Sequence, residues 1–395
     1  MTLTTAGTPV RAASRATYIA FAGSGTAMAS WASRIPQIRD RLGLAPAQLG
    51  LVLLAIAAGS ILSLLASGHI VARFGSRRTV AVMAVLMTAA LSTVAIGYPF
   101  GVPPLVVGLF LFGFANGAWD VAMNVQGAAV ERRLGRAIMP RYHAGYSLGT
   151  VAGALVGTAM VALAVPVALH LIVVAVLIGA AVVVAVRGFG PDEDVATAGP
   201  HGPSLGGALR FWLEPRTVLV GVFVLAFAFT EGAGIDWIGV AVIDGHHAPA
   251  AVGTLAFAVF LSAMTAGRWF GPGLLDRFGR VPVVRTLAVV SMAGLTLFVF
   301  GPTTPIAFVG ALLWGAGASL GFPVGMSAAS DDPRFAAPRV SVVASIGYCA
   351  FLGGPPLIGF LGDHFTVLRA LLAVAVLLAV ATVVAGAIRP MRTPE

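Results

Sequence analysis

Twelve stretches of about twenty apolar residues constrain this chain more than any other feature, because that is the length a helix needs to cross a bilayer. They begin near residues 16, 46, 79, 104, 141, 165, 216, 249, 281, 304, 340 and 366. Little else is available to build with. Of 395 residues, 58% are hydrophobic and 10% charged, where soluble domains carry roughly 25% charged residues. The expectation is an all-α integral membrane protein with twelve transmembrane helices.

The net charge of +9 reports orientation rather than a nucleic-acid partner. All 24 basic residues are arginine. With the amino terminus in the cytoplasm, Arg34, Arg39, Arg41 and Arg369 fall outside and the other twenty inside. This is the positive-inside signature, and it places both termini in the cytoplasm. The absence of lysine excludes a Walker-type phosphate loop and a Schiff-base cofactor, and with them ATP-driven transport by this chain alone. Cys349 is the single cysteine, so neither an intrachain disulfide nor a thiolate metal cluster is expected. No cofactor and no metal are expected. Residues 11–32 also resemble a secretory signal ending near Ala27-Met28-Ala29, but cleavage would remove the first of the twelve helices.

The long polar interval 188–215, rich in Gly and Pro and acidic at Asp192, Glu193 and Asp194, reads as a cytoplasmic linker. It separates related halves. "ARFGSRR" (Ala72 to Arg78) is matched 204 residues later by "DRFGRVP", and "AGYSLGTVAGALVG" (Ala144 to Gly157) is matched 202 residues later by "IGYCAFLGGPPLIG". The expected organisation is an arm over 1–15, six helices over 16–187, the linker 188–215, six helices over 216–388 and a tail over 389–395. Such pseudo-symmetric halves are the layout of a secondary transporter.

Five blocks in order carry a family resemblance: "SWASRIPQIRDRLGL" (Ser30 to Leu44), "RFGSRR" (Arg73 to Arg78), "NGAWDVAMNVQGAAVERR" (Asn116 to Arg133), "EGAGIDW" (Glu231 to Trp237) and "DRFGR" (Asp276 to Arg280). Over essentially its whole length the chain resembles the major facilitator superfamily. It is most similar to the branch of bacterial inner-membrane permeases that includes the rhizopine-locus membrane protein. The resemblance implies a multi-pass protein of the bacterial inner membrane, and a monomer is expected. It also implies a cytoplasmic gating motif of glycine, three residues, Asp-Arg, one residue and glycine. In the first half Gly68, Arg73 and Gly75 fit, with Arg77 following, but Ala72 stands where the acid belongs. In the second half Asp276, Arg277, Gly279 and Arg280 fit, with Pro272 in the leading position. A carboxylate in such a loop can hold the cytoplasmic side shut against a helix terminus or an arginine. The first latch is therefore expected to be weaker. The plainer reading is that these arginines only set topology.

The fourth span interrupts its apolar run with Asn116, Asp120 and Asn124 at four-residue steps, and Glu131 continues the same stripe. A carboxylate at mid-span costs roughly 2.5–3.5 kcal/mol on insertion scales. No arginine stands at comparable depth in any span, so no fixed salt bridge is expected, and the amides one turn away can hydrogen-bond either protonation state. That describes a proton-binding site. The seventh span adds Glu231 near its middle and Asp236 further out. The resemblance implies that helices one, four, seven and ten line a central cavity, so that Asp120 and Glu231 face it from opposite halves. Structural hydrogen-bonding between helices is the alternative role for Asp120 and the asparagines.

Trp119 and Trp237, each beside an acid, together with Asn116, Asn124 and Gln126, suit a sugar- or polyol-like solute. Packing against neighbouring helices is the competing reading for both tryptophans. Gly145, Gly149, Gly153 and Gly157 form a four-residue stripe expected at the interface between the halves. The resemblance also carries an absence: multidrug antiporters of the superfamily tend to have Gly-Pro in the fifth helix and an arginine in the fourth, and this chain has neither. Asp244, His246, His247, Asp363 and His364 could touch a metal, though loop histidines are usually solvated, and His143 could serve a proton path. The function expected is proton-coupled movement of a small polar solute by alternating access. Proton-antiport efflux of an amphiphile and a non-transporting receptor are the alternatives. An enzyme is disfavoured, because no HExxH element or nucleotide loop is present.

Overall fold

The computed structural model describes residues 7–135, 138–191, 210–332 and 334–391. The expected acidic cluster Asp192–Asp194 and most of the proposed linker lie outside the described residues. By contact, the described residues before 192 other than 45–50 form one compact unit, and those after 209 together with 45–50 form a second.

The first unit runs α1 (Gly7–Ala32), α2 (Ile35–Leu42), α3 (Pro46–Gly97), α4 (Val102–Leu134), α5 (Met139–Ala162) and α6 (Val167–Ala185). The second runs α7 (Pro215–Gly245), α8 (Ala250–Phe278), α9 (Arg280–Phe300), α10 (Thr304–Ala318), α11 (Gly321–Ala329), α12 (Ala336–His364), α13 (Val367–Ala370) and α14 (Leu372–Val384). Helix is what a chain in hydrocarbon must form, since each turn satisfies its own backbone groups. Among the described residues ten helices are long and apolar enough to cross a membrane. The helix counted as Pro46–Phe100 is two spans, because Gly75 (φ 76°, ψ 159°) breaks α3 at its middle. With α1, about 39 Å long at 1.5 Å per residue, the spans are twelve. Two others are interrupted: α10 gives way to α11 around Ser319 and Leu320, and α13 to α14 at Leu371.

The two matched loops share their geometry. Gly279 (φ 80°, ψ 164°) ends α8 as Gly75 ends the first arm of α3. Both angles lie where a side chain is strained, so the "RFG" glycine turns the chain at the same point of each repeat. Leu65, Val383 and Phe270, 80%, 77% and 74% exposed, form part of the apolar outer surface expected against lipid.

Lipid tails are as apolar as leucine, so helix association relies on close packing of small residues. The glycine stripe of α5 shows this, with a correction to its partner. It packs on α1 inside its own unit, not on the other half. A Cβ at Gly149 would overlap the carbonyl oxygen of Ala22, and one at Gly153 would come to 2.7 Å from that of Thr26. The sequence displayed the stripe without naming the helix it meets. The equivalent face of α12 carries Phe351 and Pro355 in place of Gly149 and Gly153, so the repeat is kept in register but not in packing chemistry. On the other side of the first unit, Gly113 and Gly117 of α4 lie against the backbone and Ser63 of α3.

Candidate functional site

In the first unit the polar stripe of α4 is held by neutral groups. Asn124 Nδ2 donates to the Asp120 carbonyl oxygen at 2.8 Å and to its Oδ1 at 3.2 Å. Asn116 Oδ1 accepts from Ser24 Oγ of α1 at 3.0 Å. Asp120 makes no ion pair among the described residues, and its residue position is half-buried, as are Asn116 and Asn124. Further along the stripe, Glu131 accepts the backbone N–H groups of Ile138 and Met139, each at 2.7 Å, and so caps the start of α5. Gln126, grouped with the solute-facing amides from sequence, is instead fully buried and accepts from Ser76 Oγ beside the break in α3.

The tryptophans lie behind this face. Trp119 and Trp237 are both 0% exposed. A residue beside an acid on a helix points about 100° away from it, and in both cases that direction is the packed interior of the unit.

In the second unit the expectation that no arginine reaches the central acids is overturned. Arg268 Nη2 of α8 donates to Glu231 Oε2 of α7 at 2.6 Å. Its Nε donates to the carbonyl oxygen of Ser319 at 3.2 Å, in the interruption between α10 and α11, where a carbonyl is released from the helix ladder. From sequence Arg268 had been grouped with the inner-side arginines. An arginine carries its charge well beyond its Cα, so linear depth misplaced it. Glu231, Arg268 and the interrupted tenth span form one polar centre. Asp236, five residues on, is half-buried with no hydrogen bond or ion pair among the described residues.

The gating loops also differ. In the first, Arg73, Arg77 and Ala72 are exposed, and Gly68 stands in open space. Arg73 lies over the Phe74 ring at 5.7 Å, as Arg277 lies over Phe278 at 5.1 Å in the second. There the expected anion changes identity. Asp276 is exposed and unpaired among the described residues, whereas Arg280 bonds Asp331 at 2.7 Å and Ser327 Oγ at 3.0 Å. Arg216 at the start of α7 takes the other Asp331 oxygen at 3.0 Å. Beside it Arg339 bonds both oxygens of Glu214, at 2.7 and 2.9 Å, and Arg334 bonds Asp332. The hydrogen bonds from Arg339 hold the Glu214 carboxyl below its ordinary range, and those from Arg334 do the same for Asp332. None of Glu214, Asp331, Asp332, Arg216 or Arg339 was singled out from sequence. The signal available was "SDDPR" (Ser330 to Arg334), an acidic doublet just before a span.

Of the loop candidates, Asp363 Oδ1 accepts the Ala47 backbone N–H at 3.2 Å. His246 Nε2 meets the Phe298 carbonyl oxygen at 3.0 Å, His364 Nδ1 that of Phe360 at 2.8 Å, and the His143 ring packs edge-on against Phe21.

Among known proteins, the Major Facilitator Superfamily profile matches residues 17–349. An uncharacterised transporter of Sinorhizobium fredii is 30% identical over 345 residues, 87% of this chain and 89% of that protein. The membrane protein MosC of Rhizobium meliloti is 30% identical over 372 residues, 91% and 87% of the two chains. A solved structure of a variant of the nucleoside transporter NupG superposes with a TM-score of 0.79 at 12% identity, covering 96% of this chain and 99% of its own. The D-xylose-proton symporter gives 0.73 at 13% identity, covering 96% and 97%. Likeness at that identity speaks for the fold, and the family match carries the rest: this chain is a multi-pass membrane transporter, not an enzyme, and it belongs to the Major Facilitator Superfamily.

Proposed function

We propose that the protein moves a small polar organic solute, sugar- or polyol-like, across the bacterial inner membrane by proton-coupled alternating access. It works as a monomer with both termini in the cytoplasm, and residues 188–215 join its halves. The observation that carries this reading is Asp120, an acid in the middle of a spanning helix whose hydrogen bonds come from the neutral amide of Asn124. Protonating such a group leaves no cation without its counter-charge, so it can load and release a proton at small structural cost. Asn116 and Asn124 offer both donors and acceptors to hydroxyl groups; Trp119 backs them in the first unit, and Trp237 plays the same part in the second.

Glu231 works differently. Arg268 holds its carboxylate through Oε2, so loss of that negative charge would loosen the guanidinium, which keeps its bond to the Ser319 carbonyl oxygen. Asp236, further along α7, passes protons onward. The arginines and glycines of the two loops, Gly68, Arg73, Gly75 and Arg77 in one and Asp276, Arg277, Gly279 and Arg280 in the other, form the cytoplasmic gate. The bond between Arg280 and Asp331 supports this role for the second loop, and Ala72 leaves the first without its anion. A nucleoside and a xylose–proton carrier among the fold neighbours agree with a polyhydroxylated cargo.

The test is reconstitution in liposomes with an internal pH-sensitive dye and a panel of sugars, polyols, nucleosides, amino acids and apolar dyes. The proposal expects a polyhydroxylated solute to drive a proton flux. Proteoliposomes that ignore an imposed pH gradient with every solute would overturn it.

A further inference from the structure

The turn between α1 and α2 carries Arg34, which is 2% exposed. Its Nε–H donates to Nδ1 of His170, in the first turn of α6, at 2.9 Å, and His170 is 3% exposed. A ring nitrogen that accepts a hydrogen bond carries no proton, so the proton of the neutral ring sits on Nε2 and makes that nitrogen a donor. Among the described residues neither Arg34 Nη2 nor His170 Nε2 has a partner. The Ser30 hydroxyl and the Gln37 side-chain amide, about one turn to either side of Arg34, are likewise buried and unpartnered. No carboxylate pairs with Arg34 among the described residues. A guanidinium removed from water without a paired carboxylate is strongly unfavourable, and the unpartnered donors Arg34 Nη2, His170 Nε2 and Gln37 Nε2 outnumber the one pure acceptor, Gln37 Oε1, with the Ser30 hydroxyl able to act either way. What would satisfy it is negative and accepts hydrogen bonds only.

One side of the cluster is closely packed. Gly157 brings α5 against the cluster: a Cβ there would overlap Ser33 Oγ and lie 3.9 Å from His170 Cε1. We propose that Arg34 and His170, with Gln37 and Ser30, bind a small inorganic monoanion of the halide class, with chloride as the abundant occupant. The anion ties the α1–α2 turn to α6 inside the first unit. The site is separate from the Asp120 stripe, and the proposal stands whether or not transport is proton-coupled.

The experiment uses the full-length protein in lipid nanodiscs, moved from sodium gluconate to sodium chloride at constant ionic strength. Unfolding temperature and radioactive chloride binding are both followed. The wild type is expected to bind one chloride per chain and to show a saturable rise in unfolding temperature, with bromide substituting for chloride. Arg34→Gln is expected to lose both responses. Gln37→Met keeps the buried volume but removes a donor, so it is expected to weaken chloride affinity about tenfold, and it keeps the test decisive if Arg34→Gln does not fold. A wild type indifferent to chloride, an Arg34→Gln variant that still responds, or a Gln37→Met affinity equal to wild type would each overturn the proposal.

Discussion

The acids of the α4 stripe in the first unit and the acids at the polar centre and span ends of the second are neutralised by different means. In the first, Asp120 rests on the Asn124 amide and Glu131 on two backbone N–H groups. In the second, Glu231, Asp331, Asp332 and Glu214 are each bonded to arginine. The difference decides what protonation does. An acid solvated by neutral donors becomes a neutral acid and disturbs little, whereas an ion-paired acid leaves a cation behind when it takes a proton. Under the proton coupling we propose, the first unit carries the proton and the second changes its contacts when a proton arrives.

The sharpest way to break this contrast is Asp120→Asn, which keeps the size and hydrogen bonding of the side chain and removes its titration. Proton-driven uptake is expected to fall about 100-fold, the lower end of what a lost proton-transfer group contributes, while folding, checked by size-exclusion profile and unfolding temperature, stays intact. Normal uptake would return Asp120 to a structural role. Next comes the pair. Glu231→Gln leaves Arg268 without its anion, so its uptake and stability are expected to fall further than those of the double variant Glu231→Gln/Arg268→Gln, with a coupling of about 1–3 kcal/mol in a double-mutant cycle of unfolding. A coupling near zero would make Glu231 equivalent to Asp120 and erase the comparison.

At the ends of the spans the effects are smaller. Arg339 holds the Glu214 carboxyl below its ordinary value of 4.5, so the stabilisation is complete above that pH and fades as pH falls through the lowered value. Wild-type unfolding temperature is expected to drop more steeply than that of Glu214→Gln between pH 6 and pH 3.5. Because the Glu214 side chain is 29% exposed, the difference is about 1 kcal/mol after solvent screening. The smallest change is Ala72→Asp, which gives the first loop the anion it lacks. It is expected to alter stability by less than about 0.5 kcal/mol, while shifting cysteine accessibility toward a closed cytoplasmic side. Unchanged accessibility would mean that the first loop serves topology alone.

Much of the site was legible because polarity is conspicuous in an apolar chain. Asn116, Asp120 and Asn124 announce themselves at helical spacing, and so do Glu231 and Asp236. Arg268, Ser24 and Asp331 do not, since each matters through a partner on another helix: 37 residues away for Arg268, 92 for Ser24 and 51 for Asp331. The tryptophans show the reverse error. Adjacency to an acid in sequence suggested a shared face, but consecutive residues on a helix diverge by about 100°.

By itself the sequence determined the twelve spans and the repeat that sets Gly75 and Gly279 at matching positions, because length and apolarity are local properties that the bilayer imposes directly. Only the tertiary structure decided which acid rests on an amide and which pairs with an arginine, that the α5 glycines meet α1, and that Arg34 is buried on a histidine. Each of these depends on which helix faces are brought together, and periodicity fixes a face without fixing its neighbour.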